Sequence, residues 1–427
     1  MIGRIFILAC GLLTTCFLYS QKYDYNYFET SSVLPRHHGI HFQYVDSLQD
    51  LVMDTFNLDG RISASPVMSS AEGEFLFYTN SLHVYDSIGR TAINGDSMFH
   101  GSFLEQRYMY YPHLRGWSVL NGVHFLPIND SAYFMFSEAY EDLSSPAYDL
   151  DIVEKGYALN SFSSGLWMSV IRQNGAGRMF IRDNEKKIQL LEEYQGIQQL
   201  MSVKKENGQD WWFMVPELLT DSIFVFSVDV SEEKVSNEGK NYFSPFNARV
   251  CGTPATCVHP EGKYLVRLFN QSVEELNHLI EIFAFDRCTG KTERLFVDSI
   301  PVGDINQSPA GDVEFSENGR FLYIALSEYV LQLDMMEENP FDNKDTIGYF
   351  KELEGENLQT NMDQMWRLPN GKILVCGIVS TSYAHYIHHP NEKGDACNFE
   401  NHALIMPPNP FAPDRDNLLL TALPTYP

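Results

Sequence analysis

The feature that most constrains this chain is a tight turn that recurs between short, wholly apolar runs. Its clearest copy spans residues 311–335, GDVEFSENGRFLYIALSEYVLQLDM. Val313 and Phe315 precede the turn Glu317-Asn318-Gly319, the run Phe321–Leu326 follows, and residues 329–333 come after a break at Ser327-Glu328. Asn-Gly between apolar runs is the strongest short-range hairpin signal, because both central residues of that turn need φ > 0. The stretch therefore predicts a three-stranded antiparallel meander.

The turn repeats. Its centres fall near residues 73, 130, 208, 262, 319 and 371, mostly 52 to 57 residues apart, and the one longer gap contains an insertion at 139–164. A period of about 40–55 residues, with three or four short strands in each, is the pattern of a β-propeller. A lone blade exposes two apolar faces and is unstable; radial stacking covers both, so such strands are continuously apolar. The 29 Phe and 23 Tyr suit wide gaps between blades. The expected fold class is all-β: a β-propeller of six or seven blades, three to four antiparallel strands per blade. Six units are counted, with residues 40–44 outside them. That segment either closes the ring as an outer strand of the last unit, or residues 22–60 join the carboxyl-terminal tail as a seventh blade. No Pro/Ser/Thr-rich linker divides the chain, so residues 21–427 read as one domain.

Residues 1–20 read as a signal peptide. Arg4 precedes an apolar run over 5–19, too short to span a bilayer comfortably, and Ser20 is a small residue before Gln21. A lipoprotein signal lipidated at Cys16 is the less favoured reading, since Thr15 fits poorly before it. No later run is long and apolar enough to cross, so the expectation is a secreted, cell-surface or periplasmic protein without membrane insertion after signal cleavage. The net charge of −26 opposes nucleic acid, which needs a basic footprint, and adsorption to anionic lipid. Cys251, Cys257, Cys288, Cys376 and Cys397 remain after the signal. They show no Cys-x-x-Cys zinc spacing. Cys251 and Cys257 flank Pro254 in a turn-like stretch, which permits a bridge.

Candidate chemistry is sparse. His385, His388 and His389 form the densest histidine group; strand alternation would set His385 and His389 on one side and His388 on the other. His37, His38 and His41 read as a flexible amino-terminal stretch that meets them only if the termini close the ring. A metal needs convergent ligands with outer support; the 385–389 group, at a strand end before Pro390, reads instead as an exposed loop margin. Glu138, Glu141, Asp142, Asp149 and Asp151 sit in or beside the insertion and read as a solvated loop. Trp211 and Trp212 are strand neighbours facing opposite ways and read as core in two adjacent layers; a sugar-stacking role for one of them is the alternative. No Gly-x-Ser-x-Gly elbow, Gly-x-Gly-x-x-Gly loop or calcium loop occurs. The catalytic residues are unassigned, and no cofactor or metal is expected.

The segments 69–86, Glu206-Asn207-Gly208-Gln209-Asp210-Trp211-Trp212 and Gly394-Asp395-Ala396-Cys397-Asn398-Phe399 resemble the amino-terminal β-propeller region of secreted Bacteroidetes proteins of the type IX secretion or gliding-motility-associated kind. The resemblance covers residues 40–427, without the sorting domain, and implies no catalytic residue. Two functions follow as expectations. The favoured one is an exported, non-catalytic binding or structural module with a protein or glycan ligand at its loop faces, the 139–164 insertion being the natural recognition loop. The other is an exported carbohydrate-active hydrolase or lyase with acids at a central channel mouth.

Overall fold

The computed structural model describes residues 27–31, 37–44, 51–58, 67–70, 75–79, 83–98, 123–142, 161–196, 200–217, 222–242, 250–271, 277–301, 311–326, 328–349, 362, 364–368, 370–377, 383–405 and 419–420. Residues 1–20, Cys16 and the middle of the predicted insertion, with Asp149 and Asp151, lie outside them.

The described residues are all-β and propeller-like: among them seven antiparallel sheets follow one another in chain order. Four have the same plan, four strands in sequence order. The fourth sheet holds Met201–Lys204, Trp211–Pro216, Ser222–Asp229 and Lys234–Tyr242. The fifth holds Val250–Val258, Tyr264–Gln271, Asn277–Asp286 and Lys291–Pro301. In the sixth are Asp312–Phe315, Phe321–Leu326, Tyr329–Asp334 and Asp345–Tyr349. The seventh has Gln364–Arg367, Ile373–Cys376, Tyr383–Ile387 and Phe399–Ile405. The predicted meander is thus the first three strands of a four-stranded unit. The fourth strand is polar on its exposed positions, as in KVSNEGKNY, and gives no apolar signal.

The second sheet (Val67–Ser69, Phe75–Thr79, Val84–Asp86) has three strands. The third is built on Val123–Asn129, Ala132–Asp142 and Ser161–Gln173, with Met179–Phe180 and Ile188–Gly196 both pairing the last of these. Its strands run into the predicted insertion, pairing Glu141 with Phe162 and Asp142 with Ser161, so 139–142 and 161–164 are ladder rather than loop.

The first sheet corrects the simpler closure. His37–Tyr44 has both edges occupied, by Tyr27–Ser31 and by Leu51–Leu58, and so cannot serve as an outer strand of the last unit. Tyr27–Ser31 pairs on its other side with Leu419–Leu420, bringing the two ends of the chain into one four-stranded sheet. The histidines 37, 38 and 41 therefore lie on a paired strand, not a flexible stretch.

Five apolar layers separate the second to seventh sheets. Phe77 meets Phe125 and Tyr133 in the first layer. Phe136 stacks on Phe213, ring centroids 3.9 Å apart, in the next. Trp212 and Met214 pack on Leu265 and Phe283, Val266 and Ile282 on Phe315 and Leu322, and Tyr323 and Val330 on Met365 and Val375. Trp211 belongs to one layer and Trp212 to the next, as their alternation requires. Each central sheet is covered on both faces by its sequence neighbours. That is the packing by which blade-like units exclude water.

The turns lean on one another in the same order. Gly262 sits against Val203 and Arg287, Gly319 against the His259 ring, and Gly371 against Glu317. Gly319 has φ +71°, and a methyl there would overlap His259, so this Asn-Gly turn needs its glycine twice over.

Candidate functional site

The first strands of the fifth, sixth and seventh sheets lie side by side. They gather the only close group of mixed ionisable side chains on first strands among the described residues: Cys257, Asp312, Glu314 and Arg367. In Asp312-Val313-Glu314-Phe315 the apolar pair enters the layer shared with the fifth sheet, so the acids face the other way, toward the seventh.

All four carboxylate oxygens meet a backbone N–H. Val313 donates to Asp312 Oδ1 at 2.8 Å and Met365 to Oδ2 at 2.9 Å. Phe315 donates to Glu314 Oε1 at 2.9 Å, and Arg367 to Oε2 at 3.3 Å. The two acids thus clasp the first strand of the sixth sheet to that of the seventh, through N–H groups that have no ladder partner on that edge.

Burial pushes the Asp312 carboxyl up to about 7; the Met365 and Val313 amides oppose the shift and the Glu314 charge adds to it. Glu314 is likewise raised by burial, against the pull of the Arg367 guanidinium. Both keep some accessible surface while protein encloses them on nearly every side, so desolvation is incomplete. Burial also raises the Cys257 thiol, and the Glu314 and Asp312 charges raise it further, which leaves it protonated and a poor nucleophile. A side-chain pair also joins the first strands of the third and fourth sheets: His124 Nε2 lies 2.8 Å from Ser202 Oγ, with the imidazole lowered to about 3 by burial.

Cys251 and Cys257 stand on one strand, opposite Asn270 and Val266, and Cys257 carries a free thiol. Despite a bulge between Cys251 and Ala255, the partner strand advances four residues between their positions, about 13 Å, beyond the reach of a disulfide. The bridge the spacing permitted is absent.

The histidine group does not converge. Its strand ends at Ile387, so alternation stops before His388. His385 is fully buried, with its ring stacked on Phe399 and its Nδ1 accepting the His402 N–H at 3.2 Å. His388 Nε2 pairs with Glu400 Oε2 at 2.6 Å, and His389 is exposed. Among the described residues no group of three His, Cys, Asp or Glu could hold a metal ion. Glu138 is buried within its strand rather than solvated, paired opposite Leu166.

The motifs behind the family resemblance serve packing. Asn207 Oδ1 caps the Gln209 and Asp210 N–H groups, each at 3.0 Å, and Trp212 Nε1 donates to the Arg287 carbonyl at 2.7 Å. Cys397 is buried where Gln332 clamps the following sheet: its Nε2 donates to Tyr323 Oη and to the Glu392 carbonyl, both at 2.7 Å, and its Oε1 accepts the Gly394 N–H.

Sequence reading passed over Asp312 and Glu314, although the signal was present: two acids alternating with two core residues at the head of the most regular unit.

No protein-family model and no curated protein matches the chain. Among solved structures it is similar to a functionally unknown protein from Desulfotomaculum acetoxidans, at 10% identity and TM-score 0.47, over 93% of this chain and 99% of that one. It is also similar to a periplasmic gluconolactonase from Pseudomonas aeruginosa, at 10% identity and TM-score 0.37, over 85% and 98%. An oligogalacturonate lyase in complex with manganese matches at 11% identity and TM-score 0.37, over 82% and 85%. At such values the fold assignment rests on the layers described above.

Proposed function

We propose that this protein is an exported, non-catalytic propeller-like module that binds a protein or glycan partner outside the cell or at its surface. On this reading residues 1–20 direct export. The seven sheets are seven blades, with Leu419–Leu420 supplying the first strand of the blade begun by residues 27–58. The observation that carries the proposal is the state of Asp312 and Glu314: each carboxylate has both oxygens taken by backbone donors of two adjoining first strands. Acids so engaged hold scaffold together. A general acid or base instead needs an oxygen within reach of the substrate proton. Recognition then falls to the strand connections, where regularity ends.

One observation favours the alternative, a carbohydrate-active hydrolase or lyase. Asp312 titrates near neutrality beside a second carboxyl, the pattern of an acid–base pair. A thermal-shift screen of the purified protein against glycans and divalent ions, run together with an assay for glycan cleavage, decides between them. A glycan-induced shift without cleavage is the expected result. Cleavage that disappears in Asp312→Asn overturns the proposal.

A further inference from the structure

Six Asn-Gly pairs occur, at 94–95, 121–122, 174–175, 207–208, 318–319 and 370–371, and all but 121–122 are described. In four of these five the glycine N–H is tied to the carbonyl three residues earlier, at 2.9 Å each time: Gly95 to Ala92, Gly208 to Lys205, Gly319 to Ser316 and Gly371 to Leu368. Gly175 differs. Its turn, which joins Ser161–Gln173 to Met179–Phe180, is closed instead by Gly177 N–H donating to the Asn174 carbonyl and Asn174 N–H to the Arg178 carbonyl, both at 2.9 Å. The Gly175 N–H has no acceptor among the described residues. Asn174 and Gly175 are both exposed, and no heavy atom lies within 4 Å of the place a Gly175 Cβ would take. The Asn174 side chain is held as well: its Oδ1 accepts the N–H groups of Ala176 and Arg178, each at 3.0 Å. Two donors on that oxygen draw electron density from Cγ.

We propose that Asn174 is a modification site, deamidating spontaneously in the folded protein ahead of the other described Asn-Gly pairs. The attacking atom is the Gly175 nitrogen, which here is exposed and unbonded and, before glycine's missing Cβ, unhindered. It forms a bond to Asn174 Cγ while the Cγ–Nδ2 bond breaks, and Nδ2 leaves as ammonia with the amide proton. Water then opens the five-membered imide at either carbonyl, giving aspartate or isoaspartate. In the other four pairs the same nitrogen must first give up its hydrogen bond, a handicap of roughly 2- to 13-fold at the usual net strength of such a bond. Three of them, Gly208, Gly319 and Gly371, are also fixed at positive φ within that bonded turn. The product matters to the fold around it. Arg178 Nη2 donates to the Thr91 carbonyl at 3.1 Å, so this hairpin links the third sheet to the second, and isoaspartate adds a backbone methylene to it.

The test incubates the full-length folded protein at mildly alkaline pH and follows the five peptides by mass spectrometry, separating aspartate from isoaspartate by chromatography. A parallel sample is held in urea. The Asn174 peptide is expected to convert several-fold faster than the other four when folded, with the spread collapsing in urea. Asn174→Gln is expected to abolish the fast conversion, and Gly175→Ala to slow it, without changing the other four. Conversion of Asn174 no faster than that of Asn207 in the folded protein overturns the proposal. An unchanged ranking in urea also overturns it, since the preference would then belong to sequence and not to the fold.

Discussion

Between the fourth and fifth sheets Trp212 disappears into an apolar layer; between the first strands of the sixth and seventh sheets, Asp312 and Glu314 reach across as carboxylates. The two contacts join neighbouring sheets by different physics. A layer is held by area and tolerates any apolar shape of the right volume. A strand edge presents N–H groups that an apolar side chain cannot satisfy, so joining two edges calls for directed acceptors. The stacking is therefore general, while the clasp is specific in residue, spacing and protonation.

The contrast is broken most severely from the layer side. Trp212→Ala empties a buried site and leaves the Arg287 carbonyl without its indole donor. Loss of about 3–5 kcal/mol is expected, read as a lowered denaturant midpoint. Next comes the turn pair. Gly319→Ala must accept φ +71° and overlap with His259, whereas Gly208→Ala accepts φ +71° with nothing within 4 Å. The backbone penalty of about 1–2 kcal/mol is common to both, so Gly319→Ala should be the more damaging; equal midpoints would mean the turn does not dock on its neighbour.

The clasp is sharpened by pH. Asp312 binds its proton more tightly when folded than when unfolded, so its contribution is complete below the unfolded value of 3.8 and is lost as pH rises toward about 7. Glu314 is the charged group that acts on it, and the Arg367 guanidinium acts in turn on Glu314. Asp312→Asn should flatten the fall in stability across that window by up to about 1 kcal/mol per pH unit, taken below the single-group ceiling for partial solvent access. A slope identical to that of the parent protein would remove the carboxyl from the linkage. The smallest effect belongs to the exposed edge: Glu400→Gln, which weakens the pair with His388, should change stability by less than about 1 kcal/mol.

Much of the fold was legible because it is periodic. The Gly-bearing turns located the units, and the apolar runs of residues 311–335 located the first three strands of the sixth sheet. The polar outer strands, such as Lys234–Tyr242, were not, since an exposed strand buries little and leaves no hydrophobic trace. The candidate site was written into residues 312–315 but not readable as a site. Alternation shows that Asp312 and Glu314 share a face; it does not show that the N–H groups of Met365 and Arg367, more than fifty residues on, lie opposite. The histidines show the converse: read along the chain as an exposed margin, they are split by the fold, with His385 buried in its strand and His388 and His389 beyond the strand's end at Ile387.

By itself, then, the sequence determined an all-β chain of repeated units with two apolar faces each, because turn chemistry and apolar patterning act over a few residues. Only the tertiary structure decided which sheets meet, that the chain's two ends share one sheet, and that two acids of the most regular unit hold its neighbour. Those outcomes depend on contacts between residues far apart in sequence. No local preference encodes them.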